Sequence, residues 1–191
     1  MTQIGLPGVK QAVHSIDGRD PLDRYYTPGL LAWRLAALLP VAGTVVEPNV
    51  GGGAFARGVR SAFGLPVHGV DIDAGAQGRA DCHSFTQGDW LTSTYTQPWD
   101  WAIGNPPFHT AERHVRHSLT QARNVAYLLR LAFLESKERV PFWQEHPARK
   151  VWVLAERPSF TDGGTDSCAY GFFWWDRDHT GPTELEVLSW R

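Results

Sequence analysis

The sequence predicts a doubly wound α/β domain. Short apolar runs of strand length alternate with amphipathic helical segments. Polar or glycine-rich motifs follow one such run after another, which is where ligands bind in open α/β sheets. The 191 residues are enough for a core that needs no disulfide or metal to hold it.

Residues Met1 to Arg24 are rich in Gly, Pro and Asp and read as an irregular lead-in; residues 25–191 are expected to form one domain. Thr27-Pro28 is expected to open a helix, with Thr as N-cap and Pro at the first helical position. Leu31, Leu35, Leu38 and Leu39 form its apolar stripe, and Pro40 helps end it. Thr44 to Glu47 reads as the first buried strand, followed by a glycine loop and a helix from Ala54 to Phe63. Val67 to Val70 is the second strand and ends in Asp71-Ile72-Asp73. A weaker third, Ser84 to Thr86, leads to Gly88-Asp89-Trp90.

Trp101-Ala102-Ile103-Gly104 is the fourth strand. Thr110 is expected to cap a helix carrying Ala111, Val115, Leu119 and Ala122 on one face. Val125 to Leu131 is apolar apart from Arg130 and fits a strand or a buried helix; its place in the alternation favours a fifth parallel strand. Lys150 to Ala155 and Tyr170 to Trp175 are apolar and aromatic and should pair antiparallel to close the sheet. The expected fold is thus a Rossmann-like, mostly parallel seven-stranded sheet with an antiparallel strand at its C-terminal end.

Composition narrows the function. A net charge of −2 gives no global basic field, so any nucleic-acid contact needs a local patch. The two cysteines, Cys82 and Cys168, lie far apart and fit no metal spacing, as in a reduced cytoplasmic protein. Neither a signal peptide nor an apolar run of membrane-spanning length is visible.

The most informative residues are Asn105-Pro106-Pro107-Phe108, at the mouth of the fourth strand. They suit a planar exocyclic amine that must accept a methyl group, a poor nucleophile because its lone pair is delocalised. The Asn105 amide oxygen and the Pro106 carbonyl could accept its two N–H bonds. The successive prolines restrict the backbone around that carbonyl. Phe108 offers a face for a flat base.

A second constellation precedes it. Glu47-Pro48-Asn49-Val50-Gly51-Gly52-Gly53 joins the first strand to its helix, with glycines allowing close approach of backbone to ligand. Asp71 stands where a carboxylate grips ribose hydroxyls. Asp89 could accept from an adenine amino group, with Trp90 beside the ring. Gly51, Gly53 and Ala56 also satisfy the loose Gly-x-Gly-x-x-Ala dinucleotide pattern. Taken with Asn105 to Phe108, the set points to S-adenosylmethionine rather than a nicotinamide.

On these residues the chain resembles the class I S-adenosylmethionine-dependent amino-methyltransferases, in particular DNA adenine-N6 enzymes whose cofactor motifs precede the catalytic one. Tyr26-Thr27-Pro28 is similar to the family motif at the methionine end of the cofactor, and Glu47-Pro48 with Gly51 and Gly53 to its glycine loop. Asp71-Ile72 and Asp89-Trp90 match its ribose and adenine positions. Arg157-Pro158-Ser159-Phe160 falls where the family often places a second aromatic for the flipped base, which nominates Phe160. Thr165-Asp166-Ser167 and the strand after it look like short phage and prophage enzymes. The resemblance implies methyl transfer to adenine N6 in nucleic acid, DNA favoured, with no metal and no membrane partner. RNA adenine, a protein glutamine amide, or a non-catalytic binding module are the alternatives.

The departure from the family is the expected lack of a separate target-recognition domain. Beyond the catalytic motif His109, Arg113, His114, Arg116, His117 and Arg123 form a basic stripe that could hold phosphates, with Arg113 and Arg116 foremost.

Overall fold

The computed structural model describes residues 26–160 and 167–191. The proposed lead-in, Met1 to Arg24, lies outside them, as do Thr165 and Asp166.

Strands β1 (Val45–Pro48), β2 (Val67–Asp71), β3 (Ser84–Gln87), β4 (Trp99–Gly104), β5 (Ala122–Arg130), β6 (Lys150–Leu154), β7 (Tyr170–Asp176) and β8 (Glu184–Leu188) form one sheet. Its order is β3-β2-β1-β4-β5-β7-β6-β8. Only β7 runs against the rest: it pairs antiparallel with β5 and β6, while β8 runs parallel to β6. The expected strands are all present, and β8 is an addition. Its Glu-Leu-Glu-Val-Leu alternation is the period-2 signature of a strand. It sits at the sheet edge, with Leu185 and Val187 exposed.

Successive residues of each strand feed opposite layers. Val45, Trp101, Ile103, Ala126, Leu128 and Phe172 pack with α1 (Gly29–Ala37) and α2 (Ala54–Phe63). Val46, Ala102, Val125, Tyr127, Phe173 and Trp175 pack on the other face with α3 (Ala111–Gln121) and α4 (Val140–Glu145). Both faces are covered, as parallel sheets require, and the strands read as nearly continuous apolar runs. Five of the nine tryptophans are buried: Trp90, Trp101, Trp152, Trp175 and Trp190.

Two boundaries differ from expectation. Pro28, not Thr27, is the N-cap of α1, and no side chain caps that helix. Ala122 is not on the last turn of α3 but opens β5, paired with Trp99. Among the described residues no helix is long and apolar enough to cross a membrane.

Candidate active site

Chain order and sheet order diverge at one place. β1 sits between β2 and β4, so the connection after β1 runs to one side and the loop after β4 faces the other. Such a switch point opens a crevice at the carboxyl ends of the two strands. A cavity of about 260 Å³ lies there. Of the sequence-predicted residues it brings together Tyr26, Thr27, Glu47, Asn49, Gly51, Asp71, Ile72, Asp89, Trp90, Asn105 and Pro107. Pro28, Gly53, Pro106, Phe108, Arg113, Arg116 and Phe160 lie outside its lining.

The glycine loop that borders the cavity is held by backbone contacts. Gly53 has φ +70°, and a Cβ there would lie 2.6 Å from the Gly78 Cα, so the residue must be glycine on both counts. The Gly78 N–H donates to the Gly51 carbonyl at 2.9 Å and clamps the loop from outside. Nothing in the local sequence marks Gly78 for this part. Asp71 fastens the other edge: its carboxylate accepts from the N–H groups of Gly51 at 2.8 Å and Asp73 at 2.9 Å. Each carboxylate oxygen has two lone pairs, so a ligand hydroxyl can share the same group. Asn49 adopts φ +62°, and its buried Oδ1 has no hydrogen-bond partner among the described residues. An orphaned buried acceptor in a cavity wall is a place for a ligand donor.

Glu47 is 3% exposed. Gly53 is the N-cap of α2 and has no side chain to satisfy the first helical amides. Glu47 reaches from β1 in its stead and accepts from the Ala56 N–H at 2.7 Å. Burial pushes its carboxyl up to about 8, outweighing the helix amides and the nearby Arg57 guanidinium that pull it down.

Trp90 is placed differently from expectation. It touches the cavity, but its indole is 1% exposed and its Nε1–H donates to Ser118 Oγ at 2.8 Å, with the Tyr127 hydroxyl completing the chain. The ring is a core residue beneath the site. Ile72, 59% exposed at the cavity mouth, is the better apolar surface for a ligand ring. Asp89 is exposed, and one of its oxygens accepts from the Leu91 N–H.

The Thr27 hydroxyl, freed from any helix-capping part, meets the loop after β4. Asn105 Nδ2 donates to Thr27 Oγ1 at 3.2 Å. This contact ties the segment before α1 to the loop after β4. Pro106 is buried and Pro107 half-buried. Phe108 is half-buried among Tyr170 at 5.5 Å and Phe160 at 6.3 Å, and the Arg130 guanidinium lies 4.7 Å over its ring. Phe160 thus lies edge-on to Phe108.

The basic stripe dissolves in three dimensions. Arg116 pairs with Glu112 and Glu145, each at 3.0 Å, and lies over the Phe142 ring. Its hydrogen bonds to those two carboxylates raise its pKa further. Arg123 pairs with Asp178 at the amino end of β5, the far end of the sheet from the cavity. His114 is buried; its Nδ1–H donates to the Thr110 carbonyl, and burial lowers its pKa. His117 packs edge-on against Trp90. Arg113 is exposed, with no ion pair among the described residues. Periodicity alone does not reveal these partners, which come from α4 and from the turn after β7.

No protein-family model matches the chain, and no curated protein does. Solved structures do. A type I restriction-modification methyltransferase subunit from Streptococcus thermophilus superposes with a TM-score of 0.69 at 12% identity, over 86% of this chain. The chain spans about half of that subunit, 47% of its length. A protein from Listeria monocytogenes named as a class I S-adenosylmethionine-dependent methyltransferase gives 0.64 at 12% identity, over 95% of this chain and 67% of its own. One from Pyrococcus horikoshii named as an RNA methyltransferase gives 0.63 at 17% identity, over 81% of this chain and 88% of its own. The fold is that of the class I methyltransferases. Among the described residues no group of three or more His, Cys, Asp or Glu is placed to hold a metal ion.

Proposed function

We propose that this chain transfers a methyl group from S-adenosylmethionine to the N6 amine of adenine in nucleic acid, with DNA favoured. One observation carries the reading: the Asn105–Thr27 contact sets Asn105 at the rim of the same cavity that holds Gly51, Asp71 and Asn49. That shared lining supports a crevice in which a cofactor and an acceptor amine meet.

The residues fit the cofactor. Asp71 suits ribose hydroxyls, Asn49 Oδ1 suits a donor, and Ile72 with Asp89 suits an adenine ring and its amino group. Tyr26, Thr27 and Glu47 border the remaining end. When bound there, S-adenosylmethionine supplies an electrophilic methyl group. The chain's own contribution is positioning, which can account for much of the rate. Asn105 Oδ1 and the Pro106 carbonyl accept the two N–H bonds of the amine and favour a pyramidal nitrogen. Phe108 and Phe160 hold the ring. No strong base is required, because the alkylated nitrogen becomes acidic and then releases its proton. The insert from Phe160 to Cys168 is too short to read several base pairs. Many sequences should therefore serve, with unpaired adenines preferred, since flipping a base from a duplex costs a few kcal/mol.

RNA is the second reading. It is favoured by the Pyrococcus horikoshii neighbour, the one of these three whose length this chain most nearly fills. The test is transfer from labelled cofactor to double-stranded DNA, single-stranded DNA, RNA and protein in parallel. Label in DNA at N6-methyladenine is expected. Label confined to protein would overturn the nucleic-acid assignment, and label in none of the four would favour a non-catalytic module.

A further inference from the structure

The two edges of the sheet are finished differently. β3 is polar at its exposed positions, Ser84, Thr86 and Gln87, and the Arg79 guanidinium covers its Phe85 ring at 5.1 Å. Polar and charged cover of this kind keeps an edge strand from pairing with another chain. β8 lacks it on one face, where Leu185 and Val187 are 64% and 65% exposed. Among the described residues no strand pairs with its outer edge.

The inner partner fixes how the β8 backbone is turned. The Glu184 N–H donates to the Arg149 carbonyl at 3.1 Å, and the Leu188 carbonyl accepts from the Ala155 N–H at 2.9 Å. Successive residues of a strand direct their N–H and C=O to opposite sides. Glu184, Glu186 and Leu188 therefore face β6, and the N–H and C=O of Leu185 and Val187 point outward. Side chains alternate between the two sheet faces in the same way. Leu185 and Val187 share the face of their β6 partners Val151 and Val153. Glu184 and Glu186 share that of Lys150, whose Nζ lies 2.7 Å from Glu186.

We propose that a second copy of this chain pairs with β8, antiparallel, about a two-fold axis at Glu186. Leu185 of each copy then stands opposite Val187 of the other. Both are hydrogen-bonded pairs of an antiparallel ladder, so every outward N–H and C=O of the two residues finds a partner. The four apolar side chains cover one another on one face of a continuous sheet. An edge that complements itself in this way closes as a dimer. Its cost is the approach of Glu186 to its own copy, a like-charge pair that the Lys150 beside each carboxylate offsets. Five residues a side cover less than the about 800 Å² per partner of a standard interface, so the affinity should lie between micromolar and millimolar.

Analytical ultracentrifugation of the full chain from about 1 to 300 µM should show a reversible monomer–dimer equilibrium. Val187→Lys should leave only monomer over that range. Val187→Pro removes an outward N–H without touching the β6 ladder and should weaken the dimer about tenfold, the scale of two lost hydrogen bonds. Glu186→Gln should tighten it up to about fivefold and make it less sensitive to salt, because the like-charge pair is gone. Circular dichroism reports the fold of each variant, and none of these residues lines the cavity. A wild type that stays monomeric to about 300 µM would overturn the proposal. So would a dimer that survives Val187→Lys, which would place the contact elsewhere, or growth beyond two copies, which a two-fold at β8 does not allow.

Discussion

Beside β1 and β2 the crevice is walled by backbone, whereas beyond β4 it is closed by side chains. On the first side Gly53 stands against Gly78, and Asp71 grips the amides of Gly51 and Asp73. These groups cannot turn away. On the other side Phe108, Phe160, Tyr170 and Arg130 fill the space against one another. Side chains exchange partners on rotamer timescales, while a clamped loop does not. The first side is thus held by backbone clamps, and the second by side-chain packing. That difference implies that cofactor affinity and acceptor affinity can be damaged separately.

The largest separation should come from Asn105→Ala. It removes an acceptor needed most when the amine pyramidalises, and one preorganised polar group at a transition state is worth about 10²–10³ in rate. Turnover on the best nucleic-acid substrate should fall by that factor while calorimetry shows cofactor affinity nearly unchanged. Asn105→Asp should retain part of the activity, because a carboxylate also accepts. Near wild-type turnover in the Ala variant would sink the proposed chemistry.

Glu47 probes the rigid half from inside. Its carboxyl titrates near 8 in the fold against 4.5 when solvated. Between those values the native state holds a proton that the unfolded chain has lost. The contribution is therefore full below pH 4.5 and declines as pH rises to about 8, by an amount on the order of a few kcal/mol. Glu47→Gln removes this slope. The stability of the variant relative to wild type should rise from pH 5 to pH 8 in denaturant titrations. A parallel pH dependence in the two proteins would show that Glu47 is ionised in the fold.

How much of this was legible in the sequence follows the same division. Strand ends and turn glycines are local signals, so β1 to β7, the Ala54–Phe63 helix and the cavity lining from Glu47 to Asn105 were readable. Thr27 looked like a helix cap because Thr-Pro has that local meaning; its hydroxyl instead meets Asn105, a long-range contact. Trp90 looked like a ligand surface beside Asp89, but its indole turns inward to Ser118. Arg130 was visible as the one polar break in an apolar run, yet its place over Phe108 depends on the β4–β5 register. Partners from distant elements leave no periodic trace. The acceptor half, made of such partners, was correspondingly the less readable.

Asp71→Ala should have a smaller effect, roughly 1.5–3 kcal/mol in cofactor binding, the range for hydrogen bonds to a charged group. Part of the loss should come through the protein, because the Gly51 and Asp73 amides lose their acceptor too. Asp71→Asn, which keeps an oxygen for one amide, should lose less. Clear binding of a nicotinamide dinucleotide with no heat from S-adenosylmethionine would remove the basis for calling this the cofactor half.

The smallest contrast tests the border of the acceptor half. Arg113 and Arg116 sit three residues apart on α3 and would be interchangeable if the helix merely presented positive charge. Arg116 is already committed to Glu112, Glu145 and the Phe142 ring. Arg113 is exposed with no ion pair among the described residues. A cation held by two carboxylates offers little net field to a phosphate, whereas an unneutralised one releases a counterion on binding. Arg113→Ala should therefore flatten the salt dependence of oligonucleotide binding by up to about one phosphate contact. Arg116→Ala should leave that slope alone and cost about 0.2–1 kcal/mol of stability, the usual range for exposed ion pairs. Equal slopes in the two variants would mean that the ion pairs of Arg116 open on binding, and that the acceptor half of the site extends along α3 beyond Phe108.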